Sequence, residues 1–133
     1  MKQSALVKRF CKSLTVPTGR LAGNAIKLAP YQNRFIEGAF ADGINVGVLS
    51  IGRGNGKSAI SAMLCAGELL GAWSDAKERE VIIAARTQEQ AKIAWNYCAS
   101  FIQTLPEDVQ ERITIRRQPR FEIQYDDENG PHL

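Results

Sequence analysis

The residues Gly52-Arg53-Gly54-Asn55-Gly56-Lys57-Ser58 carry the clearest chemistry in the chain. They follow an apolar run, Val46–Ile51, and precede a helical pattern that begins Ala59-Ile60-Ser61-Ala62-Met63-Leu64. Strand, glycine-rich turn, Gly-Lys-Ser and helix, in that order, form a cradle for nucleotide phosphates. Glycines let the backbone turn tightly, so that successive N–H groups point inward at phosphate oxygens. A helix starting near Lys57 adds its free N–H groups and the positive end of its dipole. In this reading Lys57 reaches the terminal phosphates and the Ser58 hydroxyl coordinates Mg²⁺. Ile51 stands where the full pattern has its first glycine, so the loop is a variant, with Arg53 inside it. A glycine-rich structural turn is the alternative.

Two further groups of residues have types suited to recognition. Tyr31 and Gln32 follow Pro30, which fits the first turn of a helix. The amide of a Gln there offers a donor and an acceptor side, the geometry needed to read N6 and N7 of an adenine. An ordinary surface Gln is the competing reading. Further on, Arg116, Arg117 and Arg120 form a basic cluster suited either to DNA phosphates or to solvent.

Composition bounds the rest. A chain of 133 residues is one domain at most and long enough for a core. With 44% apolar and 23% charged residues, disorder is not expected. No apolar run approaches membrane-spanning length. Cys11, Cys65 and Cys98 lie far apart within helix-like sequence, and they read as small core residues in a reducing compartment. His132, the single histidine, stands at the chain end, which argues against a histidine-based metal site or triad. The net charge of +3 hides an asymmetry: the seven Lys and Arg residues up to Ile36 have no acid among them, whereas the remainder is acidic on balance. Such an N-terminus could face DNA, an acidic partner or solvent, and it resembles a transit peptide in composition.

The elements that must position these residues follow from periodicity. Ala5-Leu6-Val7, Phe10-Cys11 and Leu14 predict a short amphipathic helix. Pro17, Gly19 and Gly23 make Thr15–Asn24 a loop. Tyr31, Phe35 and Ile36 share the face of a second helix. The helix after the phosphate loop carries Ile60, Met63, Leu64 and Gly67 on one face and stops at Gly71. Trp73 reads as lying beyond it, in a polar linker, Ser74–Arg79. Val81–Ala85 is continuously apolar, as a strand covered on both faces would be. Thr87 and Gln90 have capping-box spacing. The helix they open buries Ala91, Ala94, Trp95, Cys98, Ile102 and Leu105 and ends at Pro106. This strand–helix–strand–helix order predicts an α/β fold with a parallel sheet flanked by helices and the nucleotide at the strands' carboxyl ends. Ile113–Ile115 and Phe121–Tyr125 alternate, as antiparallel strands do, and Asn129-Gly130 is a hairpin signal. Residues 1–27 read as a basic N-terminal helix and loop, and 28–133 as a partial P-loop ATPase domain.

With these residues in view, the chain resembles the N-terminal ATPase domain of the tailed-bacteriophage terminase large subunit. Three stretches match in order and spacing. Leu28-Ala29-Pro30-Tyr31-Gln32 is similar to that family's adenine-recognition motif. Gly52–Ser58 is similar to its deviant Walker A loop, in which an arginine precedes Gly-Lys. Ala84-Ala85-Arg86-Thr87-Gln88-Glu89-Gln90-Ala91 is similar to the strand-to-helix motif shared with superfamily 2 helicases. The resemblance covers roughly Thr15 to Tyr125 and implies a RecA-like P-loop NTPase fold that binds ATP and Mg²⁺.

The resemblance implies roles and partners as well. Gln32 becomes an adenine contact, and Arg53 an arginine supplied in cis near the γ-phosphate, where positive charge stabilises phosphoryl transfer. The implied partners are double-stranded DNA, the portal protein, the terminase small subunit and further copies of the chain in a motor. The implied location is the cytoplasm of the bacterial host, without a membrane. Hydrolysis in this superfamily needs a Walker B strand, and Asp126-Asp127-Glu128 follows an alternating strand, so a hairpin turn is the preferred reading there. The expectation is a truncated motor domain that binds ATP without sustaining hydrolysis by itself, with an open sheet edge and exposed apolar surface. A helicase or translocase ATPase, and a non-catalytic DNA- or partner-binding module, are the alternatives.

Overall fold

The computed structural model describes residues 2–52, 56–74, 76 and 79–126. Within them, five helices and two strands follow in the order α1 (Gln3–Ser13), α2 (Pro30–Ala39), α3 (Lys57–Leu69), α4 (Gln88–Ile102), α5 (Glu107–Gln110), β1 (Ile113–Arg116) and β2 (Glu122–Tyr125). No helix among these residues is long and apolar enough to cross a membrane.

The core is helical. Helix α1 buries Val7, Phe10 and Cys11, one turn apart on the face its spacing predicts. It packs against both α2 and α3. Lys8 on its outer side pairs with Glu37 of α2. This bond holds the Glu37 carboxyl below its ordinary range, although the pair is exposed and its stabilisation correspondingly small. Ile60, Ala62, Met63, Ala66 and Gly67 of α3 are buried, against Trp95, Cys98, Ala99, Phe101 and Ile102 of α4. Cys11 and Cys98 are buried and Cys65 is partly so. Burial pushes the Cys11 thiol up to about 11 and the Cys98 thiol, next to Cys65, up to about 12, which keeps them protonated as small core residues.

Trp73 corrects an expectation. Rather than lying in a polar linker, it is 7% exposed and packs edge-on between Phe10 and Phe40, with ring centroids 5.8 and 5.6 Å away. Gly67 makes room for it: a Cβ there would overlap the indole ring and lie 2.8 Å from Phe10 Cδ1. The chain returns to this place because α3 ends in a Schellman turn. Gly71 takes φ +71°, its N–H donates to Glu68 O at 3.2 Å, and the Ala72 N–H donates to Gly67 O at 2.9 Å. The residues that follow Trp73 are polar, and its seat against Phe10 and Phe40 is a tertiary relation that local hydropathy does not record.

The sheet departs further from expectation. β1 and β2 pair antiparallel, Ile113 opposite Tyr125 and Ile115 opposite Ile123, as their alternation predicts. This is the one sheet among the described residues, and it is not parallel. Val46–Ile51 and Val81–Ala85 carry no strand pairing. Val46, Val48 and Ile82 are 79%, 83% and 75% exposed. A continuously apolar strand needs a ladder partner and cover on both faces, and neither run finds them here. The first instead leans on α2: a Cβ on Gly47 would lie 3.0 Å from Ala39 Cβ and 3.5 Å from the Phe35 ring. The expected exposed apolar surface is thus present. Asn129-Gly130, Asp127, Glu128 and His132 lie outside the described residues.

Candidate functional site

The N-terminus of α3 is built differently from an ordinary helix start. Its N-cap is Gly56, in the left-handed conformation at φ +84°, which side-chain-bearing residues adopt only at a cost. Among the described residues no side chain caps the first turn, and no acid lies within it. The first N–H groups and the positive dipole end are therefore not offset by local carboxylates or capping oxygens. At its other end α3 is well satisfied. Beyond the Schellman turn, Arg79 Nε donates to Glu68 O at 2.9 Å and its Nη2 to Leu69 O at 3.3 Å, a cation at the negative dipole end. The asymmetry leaves the N-terminus as the end of α3 where a negative charge would be stabilised.

Lys57 opens α3 and folds back over the loop. Its ammonium donates to the Ile51 carbonyl at 3.0 Å, so it bridges the residues on either side of the glycine-rich turn. Ile51, the departure from the full phosphate-loop pattern, supplies a backbone oxygen here, for which its side chain is immaterial. Ser58 and Gly52 are exposed. Arg53, Gly54 and Asn55, the rest of the expected cradle, lie outside the described residues.

Helix α2 brings Tyr31 and Gln32 to the same place. A Cβ on Gly56 would meet the Tyr31 hydroxyl oxygen at 3.2 Å and Gln32 Nε2 at 3.6 Å. Gln32 is 9% exposed, so it is not the surface residue of the alternative reading. Its Oε1 accepts a 2.8 Å hydrogen bond from the Ala29 N–H. This is one half of a capping box, the other half being impossible because alanine has no side-chain acceptor. The amide is thereby oriented: its oxygen is engaged at the start of α2, and its NH₂ group faces Gly56. Only the donor side faces the loop in this arrangement, so reading both N6 and N7 of an adenine would require Oε1 to leave Ala29. Pro30 at the first position of α2 costs no hydrogen bond and holds the helix start in place.

Among the described residues no group of three or more His, Cys, Asp or Glu side chains is gathered to hold a metal ion. An exposed Ser58 hydroxyl on the first turn, beside free helix N–H groups, suits a Mg²⁺ that arrives with phosphates, since such an ion takes much of its coordination from the nucleotide. A cavity of about 1020 Å³ lies elsewhere, between Val81–Ile83, α4 and the β1–β2 ribbon. It has no glycine loop. Two buried polar atoms without partners, Arg112 Nη2 and Tyr125 Oη, belong to residues that border it.

Comparison with known proteins follows the same line. Over 113 residues, 84% of the chain, the sequence is 31% identical to the terminase large subunit of Enterobacteria phage HK97. The chain spans about a fifth (21%) of that relative's length. In three dimensions it matches the crystal structure of the HK97 bacteriophage large terminase with a TM-score of 0.67 at 23% identity, over 100% of this chain and 29% of that one. No protein-family model matches. Sequence and fold thus agree with the resemblance read from the motifs: the chain is a relative of the phage terminase large subunits, matched over part of their length.

Proposed function

We propose that this chain is the ATP-binding part of a terminase motor, a P-loop ATPase domain whose parent protein packages viral DNA into a capsid. The observation that carries the reading is the meeting of two sequence-distant motifs. Tyr31 and Gln32 stand against Gly56, next to Lys57 at the uncapped start of α3. One arrangement offers side-chain groups to a base and backbone N–H groups to phosphates within the span of a single nucleotide.

The roles follow from the chemistry. Gly52, Gly54, Asn55 and Gly56 would wrap backbone N–H groups around the phosphates, and the first turn of α3 would add its own. Lys57 would exchange the Ile51 carbonyl for phosphate oxygens, a neutral acceptor for charged ones and hence a stronger bond. Ser58 would hold Mg²⁺, and Arg53 would bring a positive charge to the γ-phosphate. Bound ATP and Mg²⁺ supply the reactive phosphoanhydride and its charge neutralisation; these residues bind and orient. The family resemblance read from the motifs implies DNA, a portal protein, a small subunit and sister copies as partners, in the host cytoplasm.

Calorimetric titration of Mg·ATP into the wild-type chain and the Lys57→Ala variant tests the reading. Saturable binding by the wild type, weakened by about tenfold or more in the variant, is expected. A folded wild type that takes up no nucleotide would overturn it.

A further inference from the structure

The β1–β2 ribbon has features that the nucleotide site does not use. From Arg112 to Phe121 the sequence holds four arginines and no acid or lysine. Three of them, Arg116, Arg117 and Arg120, crowd the end of the ribbon and the loop joining its strands, and all are exposed. Arg116 and Arg120 share one carboxylate, that of Glu122, at 3.7 and 3.4 Å. Among the described residues, one carboxylate is thus shared by two of the three arginines. Asp126, the ribbon's other acid, lies at its far end, where its backbone N–H meets Arg112 O.

The loop is also held. Phe121 packs edge-on against Trp95 of α4, with centroids 5.1 Å apart. Arg117 lies over the Trp95 ring at 5.3 Å, and Lys92, also on α4, lies over Phe121 at 4.7 Å. Trp95 is buried, so its ring is a support for the guanidinium and is not offered to a base for stacking. Long cationic side chains normally lose entropy on binding. For Arg117 part of that loss is met in the free protein by the Trp95 ring. A group of exposed guanidiniums, one of them seated on a buried ring, suits a ligand recognised by its phosphates.

We infer that the β1–β2 ribbon is a contact surface for double-stranded DNA, on which Arg116, Arg117 and Arg120 hold backbone phosphates while Trp95 and Phe121 seat the loop on α4. A two-stranded ribbon is narrow enough to approach a duplex groove with phosphates on either side. The choice of DNA over another polyanion rests on the packaging reading above; the surface itself does not depend on the nucleotide site. Contact is to the backbone, so binding is indifferent to base sequence and strongly salt-dependent.

The test is fluorescence anisotropy of a mixed-sequence duplex of about two helical turns, titrated without nucleotide between about 50 and 200 mM salt. The comparison is between the wild-type chain and the triple variant Arg116→Ala/Arg117→Ala/Arg120→Ala. Each lost phosphate contact lowers the slope of log K against log salt by about 0.9, so the triple variant should bind at least tenfold more weakly with a slope shallower by about 2 to 3. Arg120→Glu alone, at a side chain 78% exposed, keeps the test valid should the triple variant misfold, and should weaken binding severalfold with an unchanged melting temperature. Arg34→Ala, an exposed arginine on α2, is the control and should leave the slope nearly unchanged. Duplex binding that survives the ribbon variants would overturn the inference and leave the packaging reading intact. No duplex binding by folded wild type at low salt would overturn it as well. Polyglutamate that competes as well as duplex at equal charge would assign the ribbon to an acidic protein instead and likewise overturn it.

Discussion

Helices α3 and α4 follow similar sequences, an apolar run and then a polar turn, yet they begin in opposite ways. α4 is closed by its own residues: Thr87 Oγ1 accepts from the Gln90 N–H at 3.2 Å, and Glu89 places an acid in the first turn. α3 has a glycine N-cap, no capping side chain and no acid. A carboxylate or capping hydroxyl at Gly56 would compete with a phosphate for the same N–H groups; at Thr87 such groups satisfy the helix start from within the chain. On the reading proposed above, the difference separates the turn that would take a nucleotide from the turn closed by its own residues. It also shows why the glycines matter, since Gly56 at φ +84° lets the chain enter α3 without a side chain in the way.

Four substitutions break or sharpen this contrast, in descending order of effect. Gly67→Ala would force a methyl group into the space of the Trp73 indole. Overpacking of this kind costs about 3 kcal/mol or more where the neighbour cannot yield, so a large fall in thermal melting temperature is expected and α3 would lose its seat altogether. Lys57→Ala should reduce Mg·ATP affinity by about tenfold to a hundredfold, the worth of a charge-assisted hydrogen bond, with stability within about 0.5 kcal/mol of wild type. Gly56→Ala places a side chain in the left-handed region and a methyl 3.2 Å from the Tyr31 hydroxyl. A stability loss of about 1–2 kcal/mol in denaturant titration, together with weaker nucleotide binding, is the expected outcome. Thr87→Ala should cost about 1 kcal/mol of stability through the lost cap and leave nucleotide affinity unchanged. Were Thr87→Ala to weaken ATP binding as much as Lys57→Ala does, the two helix starts would not differ in the way described.

What the sequence made legible divides along physical lines. Local rules read well: Pro30 starting α2, Gly71 ending α3, Thr87 capping α4 and the alternation of β1 and β2 all depend on neighbours within a turn or a strand pair. Tertiary placement read less well. Trp73 is core because Gly67 leaves room for it, a relation between α3 and a residue beyond its end that hydropathy does not record. The short α5 went unseen for a similar reason: its Gln110 side chain donates to Gln103 O and Leu105 O, so it exists as a cap on α4. Val46–Ile51 and Val81–Ala85 have the composition of parallel strands, but a ladder is a property of two segments, and no partner strand lies beside either among the described residues. In the candidate site, Gly56, Lys57 and Ser58 are identifiable by type and spacing, whereas Tyr31 and Gln32 become candidates only through the family resemblance. The Gln32 bond to Ala29 and the aromatic seat of Arg117 on Trp95 were not identifiable, although a Gln two residues after a proline was a signal for the former.

The most direct test of the central claim follows backbone amide chemical shifts and hydrogen exchange while Mg·ADP or Mg·ATP is added to the labelled wild-type chain. The account predicts large shifts and slowed exchange at Gly56, Lys57, Ser58 and Ala59, with Tyr31 and Gln32 responding, and little change at Gln88–Ala91 of α4. Equal responses at both helix starts, or none at α3 when binding is saturated, would contradict it.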